Sequence, residues 1–238
     1  MTELEEQNRL TSRSIRSFVI RNGRLTKAQA LARDRLLPLY GIAYQESLLA
    51  VDTLFEHSTT PAARPLWVEI GFGNGDALLA MAAAQPDTNF IGIEVHEPGV
   101  GQALMGIESM QLSNVRLIQH DAMEVLQHMI PDASLDRVLL YFPDPWRKKR
   151  HFKRRIVQKE FVELVANKLH AGGVLHCATD WENYAHWMVE KLSQCDRLAN
   201  EAKQGEFSPR PHWRTKTRFE QRGERLGHDV FDLLYRRL

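Results

Sequence analysis

The chain has 238 residues and only two cysteines, Cys177 and Cys195. They are too few and too unpatterned for a disulfide framework or a zinc site, which points to a reducing cytosol and no metal. No apolar run approaches the roughly 18 residues a membrane helix needs, so a membrane partner is not expected. The first 24 residues are polar and Arg-rich, without an apolar core or a small-residue cleavage site, so no secretory signal is expected. Repeats and low-complexity blocks are absent. The net charge is only +1.

That near-zero total hides segregation. Residues 9–35 carry eight basic side chains against Asp34 alone. Residues 147–155 carry seven and no acid, and residues 210–225 carry six against Glu220 and Glu224. These segments hold 21 of the 31 Lys and Arg, leaving the remainder clearly acidic. Such asymmetry suits a polyanionic partner; solvated surface charge is the plainer alternative for any one segment.

Residues 1–35 lack strong apolar periodicity and read as a flexible basic arm, with one domain over 36–238. Residues 46–56 have helical spacing. From residue 66, strand and helix patterns alternate. Strands are expected at 66–70, 89–94, 115–119, 135–142, 174–179 and 230–236. Helices are expected at 76–84, 99–110, 156–169 (closed by Gly172-Gly173) and 182–195. Continuous apolar strands in such units imply an α/β fold with a doubly wound, mainly parallel sheet. Ligands of these sheets bind outside the carboxyl ends of the strands.

The first strand runs into Glu69-Ile70-Gly71-Phe72-Gly73-Asn74-Gly75. Gly71 and Gly73 let the backbone turn and approach a ligand. The spacing is G-x-G-x-G, neither a dinucleotide fingerprint nor a phosphate-cradling P-loop. Glu69 is awkward beside a pyrophosphate but suits an ammonium. Glu94 ends the second strand, where an acid can accept from both ribose hydroxyls. Asp121 ends the third and can accept from an adenine amino group. Glu94 and Asp121 also read as ordinary residues at helix starts. The ordered set resembles class I methyltransferases, which use S-adenosylmethionine, adenosine joined to methionine.

After the fourth strand, Asp144 lies between Pro143 and Pro145, followed by Trp146 and the basic run. Prolines orient the carboxylate, the indole offers a stacking face, and the run suits phosphates. The loop is similar to the Asn/Asp-Pro-Pro-aromatic motif of amino-methyltransferases, without its second proline.

With Phe-Pro-Asp-Pro-Trp-Arg-Lys-Lys-Arg-His, Ala-Thr-Asp-Trp (178–181) and Thr-Lys-Thr-Arg-Phe-Glu (215–220), the chain resembles the bacterial tRNA (guanine-N7)-methyltransferases from about residue 15 to its end. The resemblance implies a Rossmann-like, seven-stranded sheet, S-adenosylmethionine as donor, and the guanine at position 46 of the tRNA variable loop as acceptor. It implies that Glu69, Gly71, Gly73, Glu94, Asp121 and Asp144 line the cofactor and reaction site, with Asp144 catalytic. Lys148, Asp180, Thr217, Arg218, Phe219 and Glu220 would meet the target nucleotide; Asp180 and Thr217 also read as helix caps, and Phe219 as a core residue. Arg150, His151, Phe152, Lys153, Arg154 and Arg155 would meet RNA. A monomer or homodimer in the cytoplasm fits this picture. Two rivals remain: a methyltransferase acting on an exocyclic base amine, and a non-catalytic RNA-binding protein on the same fold.

Overall fold

The computed structural model describes residues 17–18, 23–55, 64–203, 206–216, 220 and 229–238. The expectations for Thr217, Arg218 and Phe219, and for most of the N-terminal arm, lie outside these residues.

Seven strands form one sheet: β1 Leu66–Ile70, β2 Asn89–Ile93, β3 Val115–Ile118, β4 Leu135–Tyr141, β5 Leu169–Thr179, β6 Leu198–Asn200 and β7 Phe231–Arg237. Their order is β3-β2-β1-β4-β5-β7-β6. The first five are parallel, and β7 is antiparallel to both β5 and β6. The chain runs outward from β1 through β2 to β3 and then returns to place β4 beside β1. The strand ends diverge at this reversal and leave a crevice at their carboxyl edge.

Among the described residues, six α-helices cover the faces: α1 Lys27–Tyr40, α2 Asp76–Ala84, α3 Glu97–Ser109, α4 Ala122–His128, α5 Lys159–Lys168 and α6 Glu182–Leu192. Alternation along the strands divides the core in two. Leu66, Val68 and Ile70 point into a cluster with Val138, Leu140, Val125, Phe161 and Met188. Trp67 points the other way, among Phe90, Leu139, Leu78, Met81 and Leu104 of the α2 and α3 side. Glu69 therefore belongs to the Trp67 face, at the crevice end.

Four differences from the sequence reading have physical causes. The boundary expected at residue 35 falls inside α1, so residues 27–35 are not a flexible arm. Thr26 and Gln29 form a reciprocal capping box, Ala32 and Leu36 are buried, and Arg33 pairs with Glu97 of α3. Residues 46–55 make only a 3-10 turn at Val51–Thr53, because the Leu49 N–H is drawn to the Met129 carbonyl at 2.8 Å and Leu49 and Phe55 bury in the sheet core. The fifth helix starts at Lys159 rather than Ile156, since Lys149–Arg154 forms a 3-10 helix and Val157 is buried in the irregular segment that follows it. It ends at Lys168, and Gly172-Gly173 lies inside β5 as an irregularity opposite Leu135 to Arg137. Helix α4 and strand β6 were not anticipated.

Candidate active site

The carboxyl ends of β1, β2, β3 and β4 converge on a cavity of about 230 Å³ lined by Gly71, Glu94, Asp121, Tyr141 and Asp144. A second cleft, about 590 Å³, adjoins it and is lined by Glu69, Gly73 and Asn74. The two share Gly71, Tyr141 and Phe142, so all four carboxylates read from the sequence gather around one glycine bend.

The bend is held in place from β2. Gly71 and Gly73 have φ of 71° and 58°, and a Cβ on either would meet nothing within 4 Å. Their use is the left-handed backbone and the open space above it. The Gly71 N–H donates to the Ile93 carbonyl at 2.8 Å and the Gly73 N–H to Glu94 Oε2 at 2.9 Å. Glu94 Oε1 accepts from the N–H groups of Val95 and His96 at 2.7 and 2.9 Å. Three backbone donors thus fix this carboxylate. Of about four lone-pair positions, one on Oε2 stays free for a ribose hydroxyl, fewer than the two expected.

Glu69 is 3% exposed, and its Oε2 has no hydrogen-bond partner. Burial, and secondarily the charge of Glu94, push its pKa up to about 8. A buried carboxylate with an orphaned oxygen at a cleft wall asks for a cationic donor. Asp121 caps α4 by accepting from the Met123 N–H at 2.8 Å, as its reading at a helix start expects, and it also lines the cavity. These residues fit S-adenosylmethionine: an acceptor for its ammonium, one for its ribose and one for its adenine.

Asp144 is exposed at the cavity mouth, on a strained loop. Phe142 and Trp146 have φ of 50° and 43°, a conformation costly for aromatic residues. The Arg155 Nε–H donates to the Pro145 carbonyl at 2.9 Å and holds that strain. Arg155 is 1% exposed, bonds Asn183 Oδ1 at 2.7 Å, and stacks on Phe152, Tyr184 and Trp187. This corrects its expected contact with RNA, since the aromatic cage takes its charge inward. Phe152 is half-buried in the same cage, at 5.7 Å from Trp187. Trp146 is no open stacking face either: Arg154 lies over it at 3.9 Å and its Nε1–H donates to the Ser17 carbonyl.

Lys148, Arg150 and Lys153 are exposed on the rim, with His151 and Arg154 partly so. His151 has its pKa pushed down, first by desolvation and then by the surrounding cations. Asp180, partly exposed, ends β5 next to Asp144's strand. The cap of α6 is Trp181, without a side-chain capping bond, so Asp180 is not a helix cap. Glu220 does not join this rim. It is 2% exposed and both its oxygens accept from Arg214, at 2.6 and 2.8 Å, which corrects its expected contact with a guanine.

Four contributors escaped sequence reading: Tyr141, which lines both cavities; Ser17 and Phe18, which line the first; and Arg155 as a loop clamp. Only Arg155 left a signal, as the last base of a run leading into apolar residues. Among the described residues, no group of three or more His, Cys, Asp or Glu is gathered as metal ligands would be, and no helix is long and apolar enough to cross a membrane.

Fold and site together define a class I methyltransferase using S-adenosylmethionine. The family described as "Putative methyltransferase" matches residues 63–233. A tRNA (guanine-N(7)-)-methyltransferase of Methylobacillus flagellatus is 51% identical over 96% of this chain and 93% of its own. One of Yersinia pseudotuberculosis is 52% identical over 98% and 95%. Among solved structures, the aminoglycoside resistance methyltransferase NpmB1 matches 75% of this chain and 89% of its own with TM-score 0.50 at 16% identity, a likeness of fold. The chain belongs to the tRNA (guanine-N(7)-)-methyltransferase family.

Proposed function

We propose that this protein methylates N7 of a guanine in tRNA, that of the variable loop at position 46, with S-adenosylmethionine as donor. The observation that carries the reading is the orphaned Glu69 oxygen beside the fixed Glu94 carboxylate, opposite an exposed aspartate on a strained loop. An RNA-binding protein without cofactor has no use for a buried carboxylate left unpartnered.

The bound cofactor supplies an electrophilic methyl group on a sulfonium. Guanine N7 carries its lone pair in the neutral base, so no residue need remove a proton before attack. What remains is alignment, and a negative field where the purine becomes positive. Asp144 meets the second demand, and the Arg155 clamp with the two left-handed residues meets the first by fixing its direction. Asp180 accepts from the ring N–H and amino group of guanine, donors that adenine does not match in the same pattern. A site built on such bonds rejects a base lacking them strongly. Lys148 binds the target nucleotide, while Arg150, His151, Lys153 and Arg154, with the basic residues of segment 9–24, meet phosphates. The protein acts in the cytoplasm as a monomer or homodimer. The described rim suits a loop base swung out of its stack better than one inside a duplex.

Unmodified tRNA transcripts with the variable-loop guanine changed to adenine test the position. Loss of methyl incorporation is the expected result; undiminished incorporation overturns the assignment to position 46.

A further inference from the structure

A row of buried polar side chains runs behind the Glu69 wall. Register pairs Glu69 with Leu139 and Leu139 with His176, so Tyr141 is a diagonal neighbour of both on one sheet face. The Tyr141 hydroxyl lies 2.9 Å from His176 Nδ1, and His176 Nε2 lies 2.7 Å from Asp232 Oδ1. Arg214 closes the row, with Nη2 donating to Asp232 Oδ2 at 2.9 Å and two bonds to Glu220. His176 is 0% exposed, Asp232 2% and Arg214 3%.

The direction of these bonds is fixed by chemistry. An ionised Asp232 only accepts, so His176 carries its proton on Nε2. Burial, the largest effect, and Arg214 keep that imidazole neutral against the pull of Asp232. Its Nδ1 is then an acceptor, and Tyr141 must be the donor. The one proton of Tyr141 is turned away from the cleft it lines with Glu69.

We infer that His176 is a positioning residue of the cofactor site that acts through Tyr141: anchored by Asp232 and Arg214, it holds the phenol proton away from Glu69 and leaves that carboxylate as an unspent acceptor for the ammonium of the methionine end. This rests on the reading of Glu69 as the ammonium acceptor. Without Nδ1, the phenol proton turns to the orphaned Glu69 oxygen and competes with the cofactor.

The test is S-adenosylmethionine affinity by calorimetry on the full chain, with folding checked by thermal melts. His176→Leu is expected to weaken binding about tenfold, and adding Tyr141→Phe to it should restore most of that loss by deleting the competing donor. A purely structural role predicts the reverse, a double variant no better than the single one, and that result overturns the inference. Tyr141→Phe alone is near-isosteric and keeps the proposal testable if His176→Leu fails to fold. Because it removes the competing donor together with its bond to His176, it should lose less than about tenfold in affinity, and a loss of about tenfold or more overturns the inference. Glu69→Gln separates the two levels: unchanged affinity there overturns the ammonium reading itself.

Discussion

The Arg155 guanidinium donates to the Pro145 carbonyl at 2.9 Å, so the last base of the cationic run acts on the residue next to Asp144 rather than on RNA. Its removal leaves that carbonyl and Asn183 without their donor and opens a void between Phe152, Tyr184 and Trp187. Arg155→Ala should lower stability by about 2–4 kcal/mol, cut turnover, and leave the salt dependence of tRNA binding unchanged. Arg150→Ala and Lys153→Ala should do the opposite, each flattening the salt slope by about one with little change in melting temperature. Binding titrations at several salt concentrations beside thermal melts separate the two behaviours.

Glu69 makes cofactor binding depend on pH. Its pKa near 8 means the carboxyl is largely protonated at neutrality, and taking up an ammonium requires loss of that proton. Affinity should therefore improve as pH rises from about 6 to 7.5, by up to about tenfold per unit, with proton release visible in calorimetry across buffers of different ionisation enthalpy. A flat profile contradicts this.

The same shift has a consequence for folding. Raised from 4.5 to about 8 in the folded protein, Glu69 favours the native state fully below the lower value, and that contribution disappears as pH climbs through the upper one. Without cofactor, Glu69→Gln should leave the melting temperature at about pH 5 nearly unchanged and raise it at about pH 9, by about 2–4 °C for each kcal/mol recovered.

Gly99 guards the glycine bend from the helix side. A Cβ there would stand 2.2 Å from the Gly73 carbonyl oxygen, so α3 can lie against the loop only without a side chain. Gly99→Ala should push Gly73 off Glu94 and weaken cofactor affinity about tenfold or more, measured by calorimetry.

The sheet was legible because strands buried on both faces read as continuous apolar runs, as Leu66–Ile70 does. Glu69 stood out as the one charge in such a run. Helical spacing misled at 46–56, where a distant carbonyl, Met129, claims the Leu49 donor. Charge counting misled at Arg155 and the resemblance at Glu220, since a sequence shows that a residue is charged but not which buried partner neutralises it. The left-handed backbone at Phe142 and Trp146 leaves no trace in composition, being imposed by tertiary contacts.

Asp144→Asn retains the shape of the loop and removes its charge. Cofactor affinity should stay within about threefold while turnover falls by about 10² to 10³, the range for loss of one preorganised electrostatic contact. Near-parent turnover would remove Asp144 from the reaction.

The most direct test of the whole account is incubation with methyl-labelled S-adenosylmethionine and unmodified tRNA, followed by digestion to nucleosides. The gathered carboxylates and cationic rim predict label in 7-methylguanosine alone, and none with Glu69→Gln. Label on an exocyclic amine, or no transfer by the parent protein, would contradict it.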